Sequence, residues 1–285
     1  MLTGEPPTLL DLPDDHPGVS DREYRRRRAE IAAVGAAYRP GDPIPDVEYT
    51  DAEHAVWSTV SRELAEQHRR FAVAEYLDGA RRLDLPNDRV PQLRELDRRT
   101  RALTGFGFRP VPGLVPTRTF YGALAERTFL STQYLRHHSA PFYTPEPDLI
   151  HEVIGHGAML ASPVFAGLYE AAGRASVRAV SDAALEHFSR VFWFTLEFGV
   201  AWERGELRAY GAGLLSSYGE IQAFRDAEIR SWDLDAMGTL EYDISVYQPV
   251  LFAAPSFEAM AADLTTFFDT TDFDALVGAH EQEYR

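Results

Sequence analysis

The sequence predicts a mainly α-helical protein with a few short β-strands. Helix-start signals recur along the chain, as a capping-box pattern at Thr50–Glu53 and a serine followed by proline at Ser162–Pro163. Apolar residues then recur at helical spacing, as in Val56, Val60 and Leu64. Strand-like runs are short and are bounded by proline and glycine, which favours a helical fold with small sheets.

The N-terminal half is expected to contain three main helices. Residues 1–21, rich in proline and aspartate, predict a loose tail, and Arg25–Arg28 are expected on the solvated face of a helix over 22–38. The remaining elements, in order, are a long helix from residue 51 to a break at 84–89, a helix over 92–104, a loop with strand pieces over 105–116, a short helix over 120–127 and a strand over 129–134.

The C-terminal half predicts further helices separated by glycine-rich turns. In order, they are a helix from Pro163 to Gly173, a helix capped by Ser181 that runs through Glu197 towards Trp202, a turn or bulge within 208–216, a short helix near 218–226, partial strands over 239–252, and final helices opened by Ser256 and Asp272.

Composition limits the function classes. A chain of 285 residues can form one large or two modest domains, and its net charge of −16 argues against nucleic acid and anionic membranes as partners. The absence of cysteine excludes disulfides and thiolate metal sites. No apolar run reaches the ~18 residues of a membrane span, and no signal-peptide pattern begins the chain. A cytoplasmic location is therefore expected.

Two histidines form the central motif, H-E-V-I-G-H, with His151 and His156 five positions apart. Neutral imidazole is the commonest side-chain metal ligand. The H-E-x-x-H motif of zinc proteases places its histidines four apart on one helical face, whereas five α-helical steps end roughly 140° away. Both rings can reach one ion only if the backbone is irregular, which Gly155 could tolerate, or if His151 lies at the start of the helix. Two core histidines bonded to backbone carbonyls are the structural alternative.

A lone carboxylate, Glu197, favours the metal interpretation. It is the only ionisable residue in the run Val191–Trp202, where burial without a partner would be costly. Two histidines and one carboxylate fit the facial triad of non-haem Fe(II) oxygenases better than a closed zinc site.

Three segments resemble the pterin-dependent aromatic amino acid hydroxylases, in the same order: TQYLRHHSAPFYTPEPDLIHEVIGH, FWFTLEFG and RAYGAGLLSSYGE. The resemblance spans about residues 83–268. It implies one mostly helical catalytic domain over residues 41–285, preceded by a tail and helix over 1–40. It also implies non-haem Fe(II), a tetrahydropterin and O₂ as reactants that hydroxylate the ring of an aromatic amino acid.

The resemblance assigns roles to individual residues. His151, His156 and Glu197 would bind iron, and Glu152, also a candidate general base, would position the pterin. The residues implied in substrate binding are Arg136 for the carboxylate, Thr144, Pro145, Trp193, Phe198, Ser216 and Ile244. Those implied in pterin binding are Val115, Thr117, Phe120 and, where many members carry tyrosine, Phe192. His138 replaces a small residue of the family.

Phenylalanine is the expected substrate by resemblance: tryptophan-hydroxylating members tend to carry Phe where this chain has Trp193, and tyrosine hydroxylases place an acidic residue near the position of Ile244. Phe198 and Gly213 are the residues usual in para-hydroxylating members, so para-hydroxylation to tyrosine is expected. Meta-hydroxylation and tryptophan hydroxylation stay open within the family, and a zinc hydrolase with Glu152 as base is a remote alternative. A monomer or dimer is expected, because no long C-terminal leucine-heptad helix is present.

Overall fold

Helix starts follow the local sequence closely in the structure, a computed structural model that describes residues 16–144 and 146–283. The Thr50 side chain accepts a hydrogen bond from the Glu53 amide, and the Glu53 carboxylate accepts one from the Thr50 amide. The hydroxyls of Ser162, Ser181 and Ser256 also accept first-turn amides. These predicted N-caps are confirmed because they depend only on residues within one helical turn.

The helices of the described residues run, in chain order, as α1 (Pro17–Ser20), α2 (Arg22–Ala37), α3 (Asp51–Phe71), α4 (Ala74–Leu83), α5 (Leu93–Thr104), α6 (Thr117–Ala125), a π-helical segment π1 (His151–Gly157), α7 (Ala158–Leu160), α8 (Pro163–Arg178), α9 (Asp182–Phe192), a second π-helical segment π2 (Trp193–Glu197), α10 (Ala212–Ser216), α11 (Glu220–Ala223), a 3₁₀ turn (Phe224–Asp226), α12 (Leu234–Thr239), α13 (Phe257–Thr270) and α14 (Phe273–Glu283).

Two small sheets accompany the helices within the described part of the chain. The strands are β1 (Gly107–Pro110), β2 (Thr128–Ser131), β3 (Val200–Glu203), β4 (Glu206–Ala209), β5 (Glu228–Ser231) and β6 (Val250–Ala254). β1 pairs in parallel with β2, while the larger sheet has the order β4-β3-β6-β5. In that sheet β3 is antiparallel to β4 and parallel to β6, and β5 is parallel to β6. The expected mainly α fold with short strands is confirmed.

The core helix α8 shows why one predicted helix end is wrong. The expectation that this helix stops at Gly173 fails, since α8 continues to Arg178. A Cβ added at Gly173 would lie 2.1 Å from the amide nitrogen of Ala125. Gly173 is therefore a point of close approach between α8 and α6 rather than a helix terminator.

The predicted long helix beginning at residue 51 is two helices. It is interrupted at Ala72–Val73, where the Val73 amide donates to the Ala209 carbonyl at 3.0 Å and Ala72 forms a bridge with Ala209. This contact comes from β4, a strand more than a hundred positions later, so local sequence does not reveal it.

The solvated face predicted for Arg25–Arg28 in α2 is confirmed for Arg25 and Arg26, which are exposed, and is wrong for Arg28. Arg28, predicted on a solvated face, is 6% exposed and forms an ion pair with buried Glu146. Its guanidinium also lies over the Tyr134 ring, 4.4 Å from the centroid. The loose-tail prediction is wrong for Pro17–Ser20, which form α1, and otherwise falls largely on residues outside the described part of the chain.

Two further predictions in the C-terminal half need correction. The helix that contains Glu197 ends there, and the chain enters β3 at Val200 instead of continuing towards Trp202. The partial strands expected over 239–252 reduce to β6, and residues 240–249 are irregular. None of the helices in the described parts of the chain is long and apolar enough to cross a bilayer.

Candidate metal centre and active-site cavity

The two motif histidines meet because π1 is wider than an α-helix. Its backbone includes a hydrogen bond from the Ala158 amide to the Val153 carbonyl, a five-residue step. This step brings residues i and i+5 to the same side of the helix, whereas an α-helix would turn them apart. The Nε2 atoms of His151 and His156 lie 3.0 Å apart. Of the two arrangements that the sequence left open, an irregular backbone or a helix start at His151, the irregular backbone is confirmed.

Neighbouring elements hold π1 in place. A Cβ at Gly155 would lie 2.8 Å from the Ala212 carbonyl oxygen, so this glycine allows α10 to approach π1 closely. The Tyr76 hydroxyl donates to the Ile154 carbonyl at 2.7 Å. The glycine therefore serves a close packing contact, while Tyr76 satisfies a carbonyl of the widened turn.

Hydrogen bonds on the far side of each ring orient the histidines. Nδ1 of His151 lies 2.8 Å from the Ser216 hydroxyl, and this hydroxyl donates a hydrogen bond to the Gly213 carbonyl at 3.3 Å. Nδ1 of His156 lies 2.6 Å from the hydroxyl of buried Tyr169. With both Nδ1–H groups donating, both Nε2 lone pairs face the space between the rings, as metal ligation requires.

The third ligand candidate, Glu197, ends π2, where the Phe198 amide donates to the Trp193 carbonyl at 2.8 Å across five residues. The Glu197 carboxylate approaches Nε2 of His156 at 3.1 Å and Nε2 of His151 at 3.7 Å. Burial alone would raise the Glu197 pKa, but the two histidines outweigh it and hold that pKa below its ordinary value. Burial lowers the pKa of His151 to about 4, which keeps the ring neutral.

Glu152 lies beside this cluster without the same contacts. One of its carboxylate oxygens is within 4.8 Å of the ligand nitrogens of both histidines. The Thr132 amide and hydroxyl approach Oε1 at 3.4 Å, and burial raises the pKa of Glu152 well above its usual range. Glu197, with its shorter approaches and lowered pKa, is the better ligand, so Glu152 is a neighbour of the centre.

The donor set fits a single iron ion. Two nitrogens bound about 2.1 Å from one ion at a right angle would lie about 3.0 Å apart, which is the spacing of the two Nε2 atoms. Two imidazoles and one carboxylate with open positions form the facial triad of non-haem Fe(II) oxygenases.

A cavity of about 380 Å³ opens beside His151 and Glu197. Its other lining residues are Leu114, Arg136, Phe142, Tyr143, Thr144, Glu146, Pro147, Trp193, Phe198, Gly213, Ser216, Ser217, Glu220 and Ile244 to Tyr247. A cavity of about 460 Å³ between α2 and α3 also borders Arg136 but includes none of the three ligand candidates. The smaller cavity is therefore the candidate active site.

Arg136 is fixed in the cavity wall by Asp148. Its Nε and Nη2 donate to the two Asp148 oxygens at 2.9 and 2.8 Å, and its backbone amide donates to Oδ2 at 2.8 Å. Both residues are buried. Asp148 Oδ1 also accepts the His151 amide at 3.1 Å, so this carboxylate links the arginine to the metal-ligand segment. In the described parts of the chain, Nη1 of Arg136 has no hydrogen-bond partner.

Aromatic side chains form another wall. The rings of Trp193 and Phe198 lie 4.5 Å apart, and Tyr242 stacks on Trp193 at 4.2 Å. Trp193 Nε1 donates to Gln248 Oε1 at 2.9 Å. A Cβ at Gly213 would lie 2.5 Å from Cζ of Phe198, so Gly213 sets where that ring can lie.

The remaining predicted substrate residues differ in their position relative to the cavity. Thr144 borders the cavity and donates to the Glu146 carbonyl at 2.9 Å, while Ser216 contacts His151 as described. Ile244 borders the cavity but is 62% exposed. Pro145 lies outside the described residues. His138, the departure noted in the sequence, is exposed and packs against His137 rather than the cavity.

The predicted pterin residues do not line this cavity. Val115 precedes α6, Thr117 begins it, and Phe120 lies within it. The Phe120 ring packs on Phe129 at 5.5 Å, and Phe192 is buried against Tyr121 at 4.9 Å. Their contact with a pterin stays a prediction.

Sequence reasoning missed three residues that support the site. Asp148 is part of the recognised TPEPD run, and its place two residues after Glu146 gave no sign of the pairing with Arg136. Tyr169 lies thirteen positions beyond His156 on another helix. Glu220, a carboxylate beside the apolar Ile221, lines the cavity and is 7% exposed. Only Glu220 carried a local signal, because it is a charged residue in a short helix and the next residue, Ile221, is buried.

The fold and this candidate centre are typical of a mononuclear non-haem metal enzyme, with two histidines and one carboxylate as the candidate ligands. A family model described as biopterin-dependent aromatic amino acid hydroxylase matches residues 8–277. The chain belongs to this family. Iron and a pterin are thus its cofactors, as the sequence predicted.

The individual proteins that the chain resembles are consistent with this family assignment. The chain is 51% identical over 261 residues to a phenylalanine 3-hydroxylase of Streptomyces coeruleorubidus, covering 92% of this chain and 94% of that protein. It is 45% identical to tyrosine 3-monooxygenase of Bos taurus over 253 residues, 87% of this chain but 51% of that protein, so it spans about half of the animal enzyme. The crystal structure of Chromobacterium violaceum phenylalanine hydroxylase with bound oxidized Fe(III) matches with a TM-score of 0.77 and 30% identity, covering 87% of this chain and 92% of that one.

Proposed function

We propose that this aromatic amino acid hydroxylase acts on L-phenylalanine and adds one oxygen atom to its ring. The observation that carries the proposal is one cavity bordered by a fixed guanidinium, two aromatic rings and two of the three metal-ligand candidates. An amino acid held by its carboxylate at Arg136 would place its ring against Trp193 and Phe198.

Arg136 is the proposed carboxylate anchor. A guanidinium binds a carboxylate best when its planar fork is held in one orientation. Asp148 provides that orientation and leaves Nη1 for the substrate. Thr144 and Ser216 border the same cavity and are proposed to support this end of the substrate, with Ser216 also orienting His151.

The aromatic wall favours an unsubstituted ring. Trp193 and Phe198 offer apolar faces, and the indole N–H of Trp193 is already bonded to Gln248. A phenol hydroxyl would gain no hydrogen bond from these two side chains, although apolar contact rejects it only weakly. Phenylalanine is therefore proposed ahead of tyrosine. Tryptophan stays the second alternative within the family.

Two ring positions, para and meta, are candidates for hydroxylation. Para-hydroxylation is supported by Phe198 and Gly213, the residues expected in para-specific members, which pack against each other at the cavity. Meta-hydroxylation is supported by the 51% identical Streptomyces relative named phenylalanine 3-hydroxylase. The contact between Phe198 and Gly213 is proposed to set which ring carbon faces the metal.

Bound iron and reduced pterin would supply the activation of O₂. The chain's own contribution is to hold the ligands, orient the substrate and exclude water. His151, His156 and Glu197 would hold the ion. Val115, Thr117, Phe120 and Phe192 stay proposed pterin contacts, and Glu152 is proposed to position the pterin beside the metal.

The zinc-hydrolase alternative has no support from the family assignment. The expectations of a monomer or dimer and of a cytoplasmic location stay predictions.

Product analysis tests the proposal. Iron-loaded enzyme is given L-phenylalanine, tetrahydropterin and O₂, and the tyrosine isomers are separated by chromatography. para-Tyrosine that depends on iron and pterin supports the first candidate, and meta-tyrosine supports the second. If phenylalanine gives no product while tyrosine or tryptophan does, the substrate proposal is wrong. Glu197→Ala, with the fold checked by circular dichroism, is the inactive control.

A further inference from the structure

Glu220 is a carboxylate in the active-site cavity that the chemistry described so far does not use. It begins α11, borders the same cavity as Arg136 and Ser216, and is 7% exposed. Its Oε1 accepts the backbone amide of Gln248 at 2.7 Å. Over residues 16–144 and 146–283, Oε2 has no hydrogen-bond partner and no arginine or histidine forms an ion pair with Glu220.

A carboxylate in this setting favours the binding of a cationic ligand group. Burying a carboxylate without a counter-charge is unfavourable, because desolvation penalises the charged form. Burial correspondingly raises the pKa of Glu220 to about 7. An ammonium group that entered the cavity would stabilise the ionised carboxylate through a charge-assisted hydrogen bond.

The cavity thus contains groups of both charges. Arg136 is cationic, and its two side-chain hydrogen bonds to Asp148 leave Nη1 without a partner among the described residues. Glu220 is the complementary acid. An α-amino acid is a zwitterion whose carboxylate and ammonium are attached to one carbon, so it matches a cavity that offers both an arginine and a glutamate.

Gln248 links this acid to the aromatic wall. Its backbone amide donates to Glu220, while its side-chain oxygen accepts the Trp193 indole N–H at 2.9 Å. The position of Glu220 is therefore coupled through one residue to the ring that faces the substrate.

We propose that Glu220 binds the α-ammonium group of the amino acid substrate. This inference rests on the proposed function, because it assumes that an aromatic amino acid occupies the cavity. Glu220 then makes the cavity bind an amino acid in preference to an aryl-propionate that lacks only the amino group. Arg136 alone does not provide this selectivity.

The test compares Glu220→Gln with the wild type. Glutamine keeps an oxygen that accepts the Gln248 amide, so the contact is retained while the charge is removed. Equilibrium binding to the iron-loaded enzyme is measured under anaerobic conditions for phenylalanine, tyrosine and tryptophan and for 3-phenylpropionate, which lacks the amino group. Glu241→Gln, whose side chain is 90% exposed, is the matched control for the change in total charge.

The wild type is expected to prefer phenylalanine over 3-phenylpropionate, and Glu220→Gln is expected to reduce that preference at least tenfold. The loss should fall on the amino acid, with 3-phenylpropionate binding unchanged. An equal loss for both ligands would show that Glu220 only supports the cavity, and an unchanged preference would also overturn the proposal. If the wild type binds none of the three amino acids, the proposed function itself fails.

Discussion

The hydroxyl of Tyr169 lies 2.6 Å from Nδ1 of His156, on the side of the ring that faces away from Glu197. The same hydroxyl is placed to donate to the Met159 sulfur at 3.5 Å, which leaves its oxygen to accept from His156. A partner of this kind fixes both the tautomer and the orientation of a metal-binding imidazole.

Tyr169→Phe is expected to weaken iron binding by about 10- to 100-fold, because His156 loses the acceptor that orients it. The dissociation constant is measured by competition with a chelator. Tyr49→Phe is the control, since its hydroxyl donates to the Gln133 carbonyl and touches no ligand candidate. Unchanged iron affinity in Tyr169→Phe would show that packing alone orients the ring.

Asp148→Asn is expected to raise KM for phenylalanine with a smaller effect on kcat, because Arg136 loses its charged partner and its fixed orientation. Removing one member of a buried ion pair costs about 3–5 kcal/mol of folding free energy, so urea unfolding is measured beside the kinetics. Asp182→Asn removes the carboxylate of an exposed pair with Arg118 and should change neither quantity. An unchanged KM would remove Arg136 from substrate binding.

Gly155→Ala is expected to destabilise the protein by about 1–3 kcal/mol, because the new methyl group would push α10 away from π1. Iron affinity should fall with it, since α10 carries the serine that orients His151. Gly167→Ala is the matched control: its added Cβ meets nothing within 4 Å, and alanine in a helix interior stabilises by about 1 kcal/mol. Equal effects of the two substitutions would contradict the close-contact explanation.

The stability of the wild type relative to Glu220→Gln is expected to fall as pH rises from 4.5 to about 7. The folded-state pKa of Glu220 is raised by burial to about 7 from an ordinary 4.5. Between these values the unfolded chain has released the proton while the folded chain retains it, so increasing pH favours unfolding until about pH 7. The change is on the order of 3 kcal/mol, measured by urea unfolding at each pH. A difference that does not vary with pH would show that Glu220 titrates normally.

The sequence predicted those features that depend on neighbours along the chain. The caps at Thr50 and Ser162 were correct, and the spacing of His151 and His156 pointed to an irregular backbone as one of two arrangements, which π1 provides. Local pattern could not specify contacts made by distant segments. The interruption at Ala72–Val73 depends on β4, and the burial of Arg28 depends on Glu146, more than a hundred positions away.

The candidate site shows the same division. The candidate metal ligands could be proposed from motif chemistry and family resemblance, because each is a polar residue with apolar neighbours along the chain. Asp148, Tyr169 and Glu220 could not be assigned roles, because each acts through a partner that only the fold brings near. The resemblance assigned Phe192 to pterin binding, whereas its ring packs in the core against Tyr121, so a pterin contact for it stays a prediction.

Both segments that present ligands, π1 and π2, are π-helical, and each follows directly on α-helical backbone. A π turn holds one more residue than an α turn. If π1 relaxed to an ordinary α-helix with its present sequence, the five steps from His151 to His156 would leave the two side chains roughly 140° apart. The approach of the two histidine rings therefore depends on the width of this helical turn as much as on the identity of the side chains, and a substitution that tightened the turn would separate the two candidate ligands while both remained in the sequence.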